Sequence, residues 1–222
     1  MRGRLFVILL FSSLAILLVS WQPRDTVHAA IPDPAVDANP AGAKGRQTAV
    51  LAGGCFWCTE AVFEQLTGVE KVTSGYAGGD RATAHYDIVG AGKSNHAESI
   101  EIVFDPAKIS YGQILKVFFS VAHDPTQLNR QGPDYGRQYR SAIFWRDGEQ
   151  KKIAEAYIAQ LNAANAFGKP IVTELNELKE FYPAEEYHQD FVKRKPGHPY
   201  VVAHALPKLK KLEKEFPDLV KK

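Results

Sequence analysis

Cys55 and Cys58 are the only cysteines among 222 residues, and they stand three apart in Gly53-Gly54-Cys55-Phe56-Trp57-Cys58-Thr59-Glu60. Closing so short a loop removes little chain entropy, so a bond between them would be a poor structural staple. The stretch lies where a short apolar run, Thr48 to Ala52, gives way to a helical pattern beginning near Phe56. Unpaired N–H groups and partial positive charge collect at a helix N-terminus, and a thiol held there is favoured as its thiolate. Gly53 and Gly54 permit a tight turn and a close approach to the backbone. Cys55 is therefore placed as a nucleophile, with Cys58 on the same helix face one turn on. Thiols at that spacing reach disulfide geometry with modest adjustment.

Other uses of a CxxC pair are less well served. Zinc would need two further ligands at a recognisable spacing, and neither a second CxxC nor a close histidine pair exists. Haem attachment needs His after the second Cys, where Thr59 stands. No metal and no resident cofactor are expected. A thioredoxin-like thiol–disulfide oxidoreductase is the main rival, since CxxC at a strand–helix junction is its signature. Phe56 and Trp57 argue against it, because they build a small apolar pocket where a general disulfide exchanger needs an open sulfur. A non-enzymatic binding module with a Cys55–Cys58 clip is the third reading.

The elements that must carry these residues follow from periodicity. Val69 to Gly75 reads as a strand, and Glu98 to Phe104 alternates, with Ile100, Ile102 and Phe104 on one face. Glu98 shares their parity, so its carboxyl points toward the apolar side. Desolvation there would raise its pKa and keep it protonated near neutrality; parity alone leaves open an ordinary strand-end glutamate. Ser110 can cap a helix striped by Ile114, Leu115, Phe118 and Val121. Ser141 to Trp145 is another strand, and Ile153, Tyr157, Ile158 and Leu161 mark a long helix. Strands alternating with helices on a shared sheet predict an α+β fold, a two-layer α/β sandwich.

Outside that unit, Arg2 and Arg4 precede an apolar run from Leu5 to Val19, and Val27-His28-Ala29 offers a cleavage site. Residues 1–29 are read as a signal peptide directing export, to a periplasm or its equivalent. The run is short for a bilayer span, though Trp21 could extend an uncleaved anchor. Residues 30–46, rich in Pro, Ala and Gly, read as a flexible linker. Residues 47–206 read as the catalytic domain and 207–222 as a basic C-terminal helix with Leu209 and Leu212 turned inward. The whole chain carries a formal +2, and residues 30–222 balance at 24 basic and 24 acidic. That neutrality supplies no electrostatic case for nucleic acid or an anionic membrane as partner.

GCFWC followed by Thr59-Glu60 resembles the active-site segment of the type A methionine sulfoxide reductases, whose commoner form has Gly where Cys58 stands. The resemblance continues in family order through Ser74–Gly79, His85–Asp87, His96–Glu98, His123–Pro125, Arg130–Ser141 and Phe181–Gln189. It implies reduction of the S epimer of methionine sulfoxide, free or in proteins, on a ferredoxin-like mixed sheet packed with helices. Cys55 would be the nucleophile and Glu98 the proton donor, and Phe56 and Trp57 would hold the S-methyl group. Tyr86 and Tyr139 would bond the sulfoxide oxygen. Asp134 would help to hold the polar cluster, and Tyr200 matches a further site tyrosine. Cys55 would become a sulfenic acid as methionine leaves. Many relatives resolve it with a cysteine in the C-terminal tail, but here Val201 follows Tyr200 and the tail has none. The expectation is a Cys55–Cys58 disulfide recycled by a thioredoxin-like dithiol, with the enzyme a monomer.

Overall fold

The computed structural model describes residues 31–38 and 45–222. The export segment expected over residues 1–29 lies outside the described residues, as do linker residues 39–44. Strand β1 (Gln47–Gly53) runs into helix α1 (Phe56–Glu64), and β2 (Val69–Ala77) follows. A short helix α2 (Tyr86–Val89) precedes β3 (Ala97–Phe104), and α3 (Tyr111–Val117) continues as a wider π-turn through Ala122. A small ribbon, β4 (Arg130–Gln131) and β5 (Asp134–Tyr135), leads to β6 (Ser141–Trp145) and α4 (Gly148–Ala163). Then come β7 (Glu174–Glu177), β8 (Phe181–Pro183), α5 (Phe191–Arg194), a π-turn over Val201–Ala205 and α6 (Leu206–Glu215). Among the described residues no helix is long and apolar enough to cross a membrane.

The architecture is α+β. Six strands form one mixed sheet in the order β7-β6-β1-β3-β2-β8, with only β6 and β7 parallel. Alternation decides its two faces. Ala49, Leu51, Ile100, Ile102, Phe104 and Ile143 turn to one side and meet Val62 and Phe63 of α1, Ile114 and Leu115 of α3, and Ile153 and Leu161 of α4. Val50, Ala52, Ala77, Ala97, Ala142 and Phe144 turn to the other, under Leu178 and Phe181. The expected strands and helices are all present, with ends moved by a residue or two, except that the C-terminal helix expected over 207–222 stops at Glu215. The Ser110 cap is also present: its Oγ accepts from Gln113 N at 3.1 Å, and Gln113 Oε1 accepts from Ser110 N at 2.9 Å, a reciprocal capping box.

Two expectations about the flanks need correcting. Residues 31–38 do not behave as a tether. Ile31 is buried in the main core, Tyr157 donates its hydroxyl to Pro32 O (2.8 Å), and Asp33 pairs with Lys116 (2.6 Å). Asp37 accepts from Gly112 N at 2.8 Å and from the Ser110 hydroxyl, adding a carboxylate to the start of α3. An apolar anchor and an acid suited to a helix N-terminus outweigh the flexible composition. The tail does form a helix with Leu209 and Leu212 turned inward as expected, but there is no packing boundary at Leu206. Leu212 is fully buried, Leu209 and Phe216 pack against the core, and Val220 bridges to Leu66. Thr67 N donates to Leu219 O (2.7 Å) and Lys221 N to Gln65 O (2.8 Å), tying the last residues to the end of α1.

Asp37→Ala removes one acceptor from two donors at the start of α3 and should lower stability by about 1 kcal/mol. Urea unfolding measures it; an unmoved midpoint would mean that the segment docks without stabilising the helix.

Candidate active site

Cys55 is the N-cap of α1, and its carbonyl accepts from Cys58 N (3.2 Å) and Thr59 N (3.4 Å). Gly54 just before it has φ +88°, and a Cβ there would come within 2.6 Å of Gln131, so the turn requires glycine. Cys55 is half-buried and Cys58 fully buried, and both are free thiols. The two thiols lie close enough to perturb one another's ionisation.

Glu98 sits on β3 with the parity that the alternation predicts, buried at 2 % exposure. Its Oε2 accepts from Phe56 N at 3.1 Å, so the strand's acid meets the first free N–H of the helix that carries the thiol. Desolvation pushes its pKa up to about 8 against the opposing pull of that N–H, with the charges of Asp134 and Cys58 adding to the rise. The acid is therefore protonated at neutral pH.

The thiol differs from expectation. Burial, then the neighbouring Cys58 thiol and the charge of Glu98, push the Cys55 thiol well up, while the neighbouring Cys55 thiol pulls Cys58 down. A helix end offers only about half an elementary charge, and desolvation beside an acid opposes it. The free protein thus holds no standing Cys55 thiolate. Ionisation is favoured when Glu98 is neutral, because the nearest negative charge is then absent.

Around these groups the chain builds an aromatic and polar cage. The Phe56 ring is buried, 5.0 Å from the His188 ring and 6.0 Å from that of Tyr76. Trp57 stacks on Phe191 at 3.7 Å, meets Tyr200 edge-on at 5.9 Å and donates its indole N–H to His188 Nδ1 at 3.1 Å. Tyr200 donates its hydroxyl to Asp134 Oδ2 and also reaches Cys55. Burial pushes the phenols of Tyr86 and Tyr139 up, followed by the negative charge of Glu98; Asp134 and Cys55 contribute in the same sense. Each stays protonated and able to donate. The residues singled out above therefore gather around the start of α1: Cys55, Trp57, Tyr86, Asp134, Tyr139 and Tyr200 are partly exposed, with Cys58, Phe56 and Glu98 buried behind them. Among the described residues no three His, Cys, Asp or Glu side chains converge as a metal site.

Motifs with no chemical role of their own hold the cleft. His123 bonds Phe118 O (3.0 Å) and Ser141 Oγ (2.6 Å). The neighbouring Asp124 carbonyl accepts from Gln131 Nε2 (3.1 Å), which sets the β4–β5 ribbon that carries Asp134. Four residues were not anticipated. His188 orients Trp57, Phe191 stacks beneath it, and Glu185 accepts from the Tyr76 hydroxyl (2.7 Å) and from Tyr86 N (2.9 Å). Glu60 lies buried on α1, pushed up to about 7 chiefly by desolvation. Glu185 and His188 fall in Phe181–Gln189, so the only signal for them was membership of a matched segment. Tyr76 is fully buried, with its hydroxyl tied to Glu185.

Comparison with known proteins agrees with this geometry. Residues 47–219 match the family model described as peptide methionine sulfoxide reductase. The chain is 59% identical to peptide methionine sulfoxide reductase MsrA 2 of Synechocystis sp. over 193 residues, 86% of this chain and 90% of that one. It is 54% identical to the protein of the same name from Mesorhizobium japonicum, over 80% of this chain and 91% of the relative. Among solved structures, reduced Mxr1 from Saccharomyces cerevisiae superposes with a TM-score of 0.63 at 31% identity, covering 69% of this chain and 87% of that one. Methionine sulfoxide reductase A of Corynebacterium diphtheriae gives 0.60 at 34%, over 70% and 77%. With a thiol, a buried carboxyl and a group of aromatic rings already gathered at one helix end, these matches decide the matter: the chain belongs to the peptide methionine sulfoxide reductase family, of the MsrA type.

Proposed function

We propose that the protein reduces the S epimer of methionine sulfoxide, free or within polypeptides, through Cys55, with Glu98 as the acid. The observation that carries the reading is the bond between Phe56 N and the buried, protonated Glu98 beside the Cys55 thiol. A sulfoxide sulfur is a poor electrophile until its oxygen is protonated. Glu98 gives its proton to that oxygen, with Tyr86 and Tyr139 donating hydrogen bonds as charge develops there. Cys55 Sγ attacks the sulfur to give a sulfurane. Its hydroxyl then migrates to Sγ as the new Sγ–S bond and the S–O bond break, so that methionine leaves with its sulfur reduced. Cys55 carries the oxygen as sulfenic acid, while the thiol proton replaces the one that Glu98 gave.

Phe56 and Trp57 face the S-methyl group, and the Tyr200–Asp134 pair lines the polar side. Cys58 then attacks the Cys55 sulfenic sulfur, releasing water and forming the disulfide. An external dithiol of the thioredoxin kind restores both thiols; the placing of Cys55 and Cys58 one helical turn apart, with each perturbing the other's ionisation, supports this pairing. The scaffold we read is a two-layer, ferredoxin-like sandwich. Its support is the antiparallel order β6-β1-β3-β2 with α1 and α3 on the connections between β1 and β2 and between β3 and β6. The basic, apolar start of the chain supports export to a periplasmic compartment, where we propose that the protein acts as a monomer on oxidised methionine.

Cys55→Ser should abolish methionine release from the S-sulfoxide, and the R epimer should not be turned over by the parent. A parent that reduces insulin disulfides faster than it releases methionine would favour a thiol–disulfide oxidoreductase instead. Cys58→Ser should release one methionine per enzyme from limiting substrate and then stop with a thioredoxin-type reductant; undiminished turnover would remove Cys58 from the cycle.

Glu98 is the competent acid below its pKa of about 8, so single-turnover methionine release should decline as pH rises through that value. Glu98→Gln cannot give up a proton. It should cut the rate by about 10²-fold or more and remove that alkaline decline. A decline that persists in the variant would assign it to another group.

A further inference from the structure

We infer that the external reductant attacks Cys55, not Cys58, so that the mixed disulfide forms on the sulfur that performed catalysis and Cys58 departs as thiolate into a site built by the C-terminal helix. This rests on the Cys55–Cys58 disulfide proposed above.

Thiol–disulfide exchange is an in-line displacement, so the incoming thiolate must approach along the S–S axis from the side opposite the leaving sulfur. Access therefore decides which sulfur is attacked. Cys58 is 1 % exposed and packs with Ala61 of its own helix, Val192, and Val201 and Ala205 of the tail. Approaching it from outside would mean displacing the π-turn and the start of α6. Cys55, at the N-cap, is the more accessible of the two sulfurs, only partly buried and open to the mouth through which the proposed substrate enters. An approach through that mouth leads to Cys55 Sγ with Cys58 behind it.

The tail also supplies a cation. Lys208 of α6 is half-buried, donates to Ala122 O at 2.6 Å, and lies near enough to Cys58 to favour its thiolate. A leaving thiol whose anion is stabilised departs faster. The same tail that lacks a cysteine thus seals Cys58 from attack and places a positive charge beside it. In the full exchange the reductant's thiolate bonds to Cys55 Sγ, and the Cys55–Cys58 bond breaks with its electron pair on Cys58. The reductant's second thiolate then attacks its own sulfur in the mixed disulfide and releases Cys55. The two sulfurs of the enzyme are reduced, the dithiol is oxidised, and two protons return to Cys55 and Cys58.

The test uses the full chain, oxidised with one equivalent of methionine sulfoxide. Tandem mass spectrometry without reductant first establishes the Cys55–Cys58 bond, whose absence would overturn the reading beneath the inference. The oxidised protein is then mixed with a thioredoxin whose buried cysteine is replaced by serine, so that the mixed disulfide is trapped. Denaturation in iodoacetamide and sequencing of the linked peptide should place thioredoxin on Cys55 and the alkyl group on Cys58. Thioredoxin on Cys58, or no adduct although the disulfide is present, overturns the proposal. Lys208→Met should slow reduction of the oxidised protein by the intact thioredoxin about fivefold relative to single-turnover methionine release, and Lys208→Arg should restore most of it. Equal slowing of both steps by Lys208→Met would reduce Lys208 to a packing role and overturn its part in the exchange.

Discussion

A carboxyl group near the start of a strand and an N–H that begins a helix meet at 3.1 Å inside this protein, and the rest of the site is arranged around that contact. Glu98 is carried by β3 and Phe56 by α1, elements more than thirty residues apart in the chain. Their bond fixes the depth and rotation of the helix that holds Cys55. Burial of the carboxyl outweighs the opposite pull of that N–H, which is why the acid holds its proton at neutral pH. Were the carboxyl to ionise, it would set a negative charge beside the thiol and oppose formation of the nucleophile. Acid and nucleophile are thus coupled through one desolvated space.

The cage above that contact is rigid for reasons visible in its geometry. Trp57 is held by a face-to-face stack on Phe191 and by a hydrogen bond to His188, so its ring keeps one orientation. A small apolar group entering the cleft meets a preformed surface, which lowers the ordering cost of binding. Tyr200 and Asp134 are 66 residues apart in the chain, and their hydrogen bond closes the polar side. Tail residues thereby serve the site twice: Tyr200 lines the cleft, while Val201, Ala205 and Lys208 surround Cys58.

Support extends outward from the cleft in layers. His123, Ser141 and Thr173 form a chain of hydrogen bonds under the loop that leads to Asp134. Arg140, buried against Glu174 and Asn95 O, pins the segment after Tyr139. Residues 31–38 add a further brace, with Ile31 in the core and Asp37 on α3. Glu185 and His188 belong to this layer too, positioning Tyr86 and Trp57 through a backbone N–H and an indole N–H.

What could be read from the chain alone was whatever depends on local spacing. Alternation from Glu98 to Phe104 showed which way the acid points; the Ser110 cap and the stripe after it showed a helix; GCFWC showed a thiol at a helix start. Tyr86, Asp134, Tyr139 and Tyr200 were legible only by resemblance, because nothing local distinguishes a cleft tyrosine from a packed one. Tertiary structure decided the rest. The ionisation of Cys55 turns on desolvation and on Glu98, which approaches from another strand, so a rule about helix ends predicted the opposite direction. Residues 31–38 have the composition of a linker and yet dock, since a single buried isoleucine and one capping aspartate suffice. His188, Phe191 and Lys208 matter through what they touch across the fold, and the environment of a sulfur is a three-dimensional quantity that no spacing along the chain encodes.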